Sequence, residues 1–183
     1  MPNPQPDIAT ERLRLRAYRP SDAQRIQSLA GDARIAEMTS SIPHPYPDGA
    51  AETWIASQSA DWQQGTSAVF AVTLRDVDET IGTVSLFNRE GTEAEIGYWI
   101  GVPWQGQGYA TEAVDALIGF GLAELGITRF HARHLKRNPA SGNVLRKAGL
   151  QKAGKDSITW RDGVTQEPVE LYELVFEDFI PET

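Results

Sequence analysis

Cysteine is absent from this 183-residue chain. That removes disulfides, thiolate metal sites and a cysteine nucleophile together. Long apolar runs are missing too, since no stretch approaches the roughly 20 residues that a membrane-spanning helix needs. The opening residues, Met1 to Ile8, are polar and proline-rich, without the apolar centre of a secretion signal. A cytoplasmic protein is therefore the default expectation. Positive charge is in deficit, with 17 Lys and Arg against 25 Asp and Glu and a net charge of −8. This argues against a general nucleic-acid binder and would suit a cationic substrate, although an acidic surface is also simply a soluble one.

What remains is ordinary globular material, 40% hydrophobic and 23% charged, in a length that suggests one domain. Residues 1–9 read as a flexible arm and 10–183 as a single domain. Leu13 and Leu15 alternate with Arg12, Arg14 and Arg16, giving a half-exposed strand. Pro20-Ser21 opens a helix that Gly31 ends, and a short helical stretch follows around Ile35 to Met38. Thr39 to Gly49 is a loop stiffened by Pro43, Pro45 and Pro47. It displays His44 and Tyr46 either as a plain connector or as a wall facing a substrate. Asp48 is placed to cap the next helix, whose apolar face includes Trp54, Ile55 and Trp62.

Ala68 to Leu74, Thr80 to Phe87 and Glu93 to Val102 read as a three-stranded meander. A strongly periodic helix runs from about Gly108 to Leu125, with Gly126 as its C-cap. Thr128 to Leu135 is a strand able to lie parallel to the one before that helix. Asn138-Pro139 starts a further helix, which ends at Gly149. Gln151 to Trp160 and Val169 to Phe176 complete an α+β, mixed α/β fold, with a mixed, mostly antiparallel sheet of about seven strands flanked by helices.

Gln105-Gly106-Gln107-Gly108-Tyr109-Ala110-Thr111-Glu112 lies between the third meander strand and the long helix. Its glycines admit a tight turn and a close approach of backbone to ligand, and the helix start supplies unpaired N–H groups. These are the parts of a phosphate cradle. No Lys-Ser/Thr follows, so it is not a Walker loop, and the third glycine of a dinucleotide fingerprint is missing.

With Ile96-Gly97-Tyr98-Trp99 before this loop, Gln105, Gly108 and Ala110 within it, and Asn138-x-x-Ser141 and Lys147-x-Gly149 after it, the chain resembles the GNAT superfamily of N-acetyltransferases. Within that superfamily it looks like the RimJ/RimL group. The resemblance covers nearly the whole chain and implies a split between the fourth and fifth strands. It also implies acetyl-CoA as donor and no metal. The pyrophosphate would lie on Gln105, Gly106, Gln107, Gly108, Tyr109, Ala110 and Thr111, and the pantetheine arm along Ile100, Gly101 and Val102, near Asn138.

By the same resemblance Glu95 is the first candidate for a base near the amine. The plainer alternative is a strand carboxylate paired with an arginine. Glu93 and Glu37 are weaker candidates. Ser141 is the candidate acid or hydrogen-bond donor to the departing sulfur, against ordinary capping chemistry. Gln107 stands where relatives often carry Lys or Arg, so a charge contact to phosphate is lost; either cofactor affinity is lower, or Lys136, Arg137, Arg146 or Lys147 compensates. Gly142-Asn143 weakens the early turns of the helix bearing Ser141. His131 and His134 point to opposite faces of a strand and make no metal site.

The implied reaction is direct acetyl transfer to a primary amine, first of all a protein N-terminus of the ribosomal-protein type. The alternatives are a small amine such as an amino acid, a polyamine or an aminoglycoside, or a non-catalytic acyl-CoA-binding module. Neither nucleic acid nor membrane is implied as a partner, and a homodimer is admitted.

Overall fold

The computed structural model describes residues 4–177. Its strands are β1 (Ile8–Ala9), β2 (Leu13–Arg16), β3 (Ala68–Leu74), β4 (Thr80–Glu90), β5 (Glu93–Ile100), β6 (Arg129–Leu135), β7 (Gln151–Thr159) and β8 (Gln166–Val175). Its helices are α1 (Ala23–Ala30), α2 (Ala33–Ala36), α3 (Ala50–Gln64), α4 (Tyr109–Leu125) and α5 (Pro139–Lys147). The eight strands form one sheet in the order β1-β2-β3-β4-β5-β6-β8-β7. All neighbours are antiparallel except β5 and β6.

That parallel pair carries the architecture. β5 and β6 are in register only over Glu93–Glu95 and Arg129–His131, and beyond this the two strands part. The opening sits between the fourth and fifth strands of the expected sheet; the two-residue β1 adds one to the count. It falls where β5 leads into the glycine loop and α4.

Successive β5 side chains point to opposite faces. Ile96, Tyr98 and Ile100 pack in the main core with Val114, Leu117 and Ile118 of α4. Trp99 packs in a second cluster with Ile26 of α1 and Ala51 and Ile55 of α3. The sheet is thus covered on both faces.

Several local expectations are corrected. Arg16 is not on a solvent face; it is 3% exposed. Its guanidinium donates to both oxygens of Asp22 at 2.8 and 2.9 Å and to Asp78 at 2.7 Å, and Thr80 Oγ1 donates to Asp22 at 2.9 Å. Burial pushes the Asp22 carboxyl up, but these bonds outweigh it and hold the group below its ordinary pKa. A buried charge persists only with such partners; Asp22 is six positions away, but Asp78 and Thr80 lie far along the chain.

Asp48 does not cap α3. Gly49 is the N-cap, and Asp48 accepts from Gln27 Nε2 at 2.9 Å. β5 ends at Ile100, and Val102–Trp104 is a 3-10 turn. Within the stretch expected as an arm, Ile8–Ala9 pair with β2, and Gln5 Nε2 donates to Val69 O at 2.8 Å.

Candidate active site

One continuous cleft of about 1140 Å³ follows the split. Its walls run from Gln105, Gly106 and Gly108 to Thr111, past Tyr98, Asn138 and Ser141, to Glu95, Phe87, Tyr46, Trp54 and Asp61.

At the first end, Gly106 and Gly108 have φ of 75° and 85°, a left-handed conformation that strains residues with a Cβ. Gly108 is the N-cap of α4 and provides no side-chain cap. The first helical bond runs from Glu112 N to Gly108 O at 3.1 Å. The N–H groups of Tyr109, Ala110 and Thr111 therefore face the cleft end without a helical acceptor.

The loop is fastened from β2. Arg12 Nη1 donates to Gln107 O at 2.9 Å, and its guanidinium lies 4.5 Å from the Tyr109 ring centroid. Glu112 takes hydrogen bonds from Thr10 Oγ1 at 2.6 Å and from Arg12 N at 2.8 Å. Burial alone would raise the Glu112 pKa; these partners bring it below the ordinary value. Glu112 is thus the clamp of the cradle as well as a charge near a helix N-terminus. Gln105 Nε2 donates to Ile100 O at 2.9 Å and ties the loop to the strand end. Gly101, Val102 and Gln107 do not line the cleft, whereas Ile100 does.

At the split, Tyr98 reaches across to α5. Its hydroxyl lies 2.9 Å from Ser141 O and 2.6 Å from Ser141 Oγ, and its single proton can be donated to either oxygen. Burial pushes the Tyr98 phenol up to about 12, against a smaller opposite effect of the Ser141 bond, so it keeps its proton at neutral pH. Asn138 caps α5 through Oδ1, which accepts from Ser141 N at 3.4 Å. The Ser141 side chain is not the cap; it faces the cleft.

The β5 backbone contributes as well. Gly101 N donates to Ile81 O at 2.7 Å, so that N–H is spent on β4. The alternation of an antiparallel ladder then turns the N–H groups of Tyr98 and Ile100 toward the gap. There β6 no longer pairs.

Gly142 is buried, and its presence has a steric reason. A Cβ there would lie 2.6 Å from His134 Nε2. His134 is itself 8% exposed and donates through Nδ1 to Leu135 O at 2.8 Å. Gly142→Ala is expected to destabilise the protein by about 1 kcal/mol. The overpacking cost of about 1–3 kcal/mol exceeds the helix-propensity gain of about 1 kcal/mol. Thermal unfolding checks this, and an unchanged or raised Tm contradicts it.

At the far end Glu95 is paired. Arg133 Nε lies 3.2 Å from its Oε1, and Asn88 Nδ2 donates to its Oε2 at 3.1 Å. Glu93 lies outside the cleft and binds Arg129 at 3.4 Å and His131 at 3.1 Å. Glu37 is also outside; its carbonyl accepts from Arg137. Tyr46 lines the cleft, but His44 is exposed and does not. Arg137 and Arg161 lie 4.9 and 4.7 Å from the Trp160 ring centroid, and Arg161 donates to Ile42 O. The Ile42 segment is thereby held against the β7–β8 hairpin.

Among the described residues no group of three or more His, Asp or Glu is placed to hold a metal, and no helix is long and apolar enough to cross a membrane. The cradle fits a diphosphate, because it offers unpaired N–H groups at an open, glycine-bounded helix start, with Lys147 among the residues lining the same cleft. Tyr98 is a cleft residue to which reading the chain gave no role of its own. In the sequence it stands within the Ile96-Gly97-Tyr98-Trp99 block. The available signal was its phenol at period two between Ile96 and Ile100, on a face otherwise apolar.

Comparison with known proteins agrees with this geometry. The family model for an acetyltransferase (GNAT) domain matches residues 12–151. The uncharacterized N-acetyltransferase p20 of Bacillus licheniformis is 30% identical over 157 residues, covering 80% of this chain and 83% of its own. The [ribosomal protein uS5]-alanine N-acetyltransferase of Escherichia coli is 30% identical over 174 residues, covering 88% of this chain and 89% of its own. The fold is shared with Mycobacterium smegmatis RimJ in complex with a coenzyme A disulfide, with a TM-score of 0.84 and 21% identity, covering 98% of this chain and 91% of that one.

Proposed function

The chain belongs to the GNAT family of N-acetyltransferases, and we propose that it transfers the acetyl group of acetyl-CoA to the N-terminal amine of a protein. The observation that carries this reading is the continuity of one cleft. It joins the uncapped start of α4, the Tyr98–Ser141 pair at the split and an aromatic far end. Relatives named for ribosomal-protein acetylation support the choice of acceptor.

In this reading the N–H groups of Tyr109, Ala110 and Thr111 receive the pyrophosphate oxygens. Lys147 supplies the charge that Gln107 lacks. The N–H groups of Tyr98 and Ile100 face the place where negative charge builds on the thioester oxygen. Tyr98 donates to Ser141 Oγ, which leaves the Ser141 O–H to donate a hydrogen bond to the departing sulfur. A serine hydroxyl and a phenol raised to about 12 are weaker acids than a thiol of pKa about 8.5. The pair therefore stabilises the thiolate without surrendering a proton.

The acceptor enters as a neutral amine. Its nitrogen bonds to the carbonyl carbon, the C–S bond breaks, and the surplus nitrogen proton passes to a water beside Glu95. Because Arg133 and Asn88 already occupy its oxygens, Glu95 orients the amine and that water more than it binds the proton itself.

Thiol release from acetyl-CoA in the presence of a peptide with a free N-terminus tests the proposal. The same peptide blocked at its α-amine serves as control. Release above background only with the free peptide is expected. Tight coenzyme A binding with no amine-dependent release would leave a binding module without turnover.

A further inference from the structure

Charged side chains line the cleft in a telling pattern. Arg34 is bound to Asp32 at 2.7 Å, and Arg133 to Glu95 at 3.2 Å. Two lining charges form no ion pair among the described residues, Lys147 of α5 and Asp61 of α3. Asp61 belongs to the stripe of α3 that faces the cleft, with Trp54, Ser57 and Gln58 at spacings of three and four. Its backbone carbonyl accepts from Thr66 N at 3.1 Å. Its carboxylate makes no hydrogen bond among the described residues, and the residue is half-buried. A partly buried, unpaired carboxylate is costly to keep and is relieved by a cation.

Its placement says which cation. The Thr66 bond sets Asp61 beside Ser67, one residue before the Ala68–Leu86 pair and in the row of Phe87 and Glu95. Two strand spacings put Ser67 on the order of 10 Å from Glu95. The Tyr98–Ser141 pair lies on the other side of β5. Asp61 is too far away to touch the amine that reacts at the split, and it faces a group farther along the acceptor.

We propose that Asp61 is a second-cation subsite that takes a lysine or arginine side chain at the second or third position of the acceptor peptide. An extended chain rises about 3.3 Å per residue, and a lysine stem covers the remaining distance along the Trp54 side of α3. The subsite rests on the protein-N-terminus reading above and names the acceptor more closely.

The test uses hexapeptides with a free N-terminus, carrying lysine or its uncharged isostere norleucine at position two or three. The wild-type protein is expected to favour the better-placed lysine peptide about tenfold in kcat/KM, through KM. In Asp61→Asn the ratio of lysine to norleucine falls to near one, while Asp61→Glu keeps most of it. Equal use of both peptides by the wild type, or an undiminished ratio in Asp61→Asn, overturns the subsite. Spermidine outperforming every peptide overturns the peptide occupant in favour of a small polyamine. Binding of the same peptides to the coenzyme A complex gives the same ratio without turnover. A lysine preference in binding with no acetylation would thus count against the transfer reading and for the subsite.

Discussion

Gly108→Val is expected to weaken coenzyme A binding by at least about a hundredfold, some 2.7 kcal/mol, while the protein stays folded. Gly108 holds φ at 85°, where a β-branched residue is strained. A Cβ there would also lie 3.3 Å from Arg12 Nη2. Arg12 fixes Gln107 O and Glu112, so moving it loosens the loop as well as crowding it. The position lies at an exposed turn, away from the main core, which confines the damage to the cradle. Titration calorimetry with coenzyme A, beside a circular dichroism melt, reads both effects. Affinity within threefold of the wild type would show that the diphosphate does not sit on the start of α4.

Ser141→Ala is expected to lower kcat about a hundredfold, the scale of losing one hydrogen bond made to charge developing in a transition state. Coenzyme A affinity should stay within about threefold, since the backbone N–H cradle is untouched. Tyr98→Phe should cost about tenfold, because Ser141 keeps its own O–H and loses only the partner 2.6 Å away that orients it. Glu95→Gln should cost less than Ser141→Ala, its carboxylate being engaged by Arg133 and Asn88. Single-turnover kinetics separates these effects from product release. A kcat within twofold of the wild type in both Ser141→Ala and Tyr98→Phe would remove the pair from the chemistry.

What the chain discloses on its own follows from range. The cradle is local. Two glycines, a helix start and a periodic apolar stripe lie within about twenty residues, so Gln105 to Leu125 was legible without partners. The parallel relation of β5 and β6 follows from a helix joining two strands, whereas the split between them was implied only by the resemblance.

Arg16 was misread because its partners Asp78 and Thr80 are more than sixty positions away, and alternation alone cannot distinguish a buried ion pair from a solvated arginine. Arg133 stands 38 positions from Glu95. The sequence allowed such a pairing without naming the arginine. Gly142 looked like a weak helix former, whereas its hydrogen makes room for the His134 ring. Asp61 sits in a polar run at the end of α3, and only the fold shows that its face of the helix is a wall of the cleft.

The central claim is that this cleft moves an acetyl group onto a peptide α-amine. Mass spectrometry of a lysine-bearing hexapeptide incubated with protein and acetyl-CoA tests it most directly. The account predicts one added acetyl group per peptide, located by fragmentation on the N-terminal nitrogen, and its appearance about a hundredfold more slowly in Ser141→Ala. An unmodified peptide beside intact acetyl-CoA, or an acetyl group found only on the lysine side chain, would contradict it.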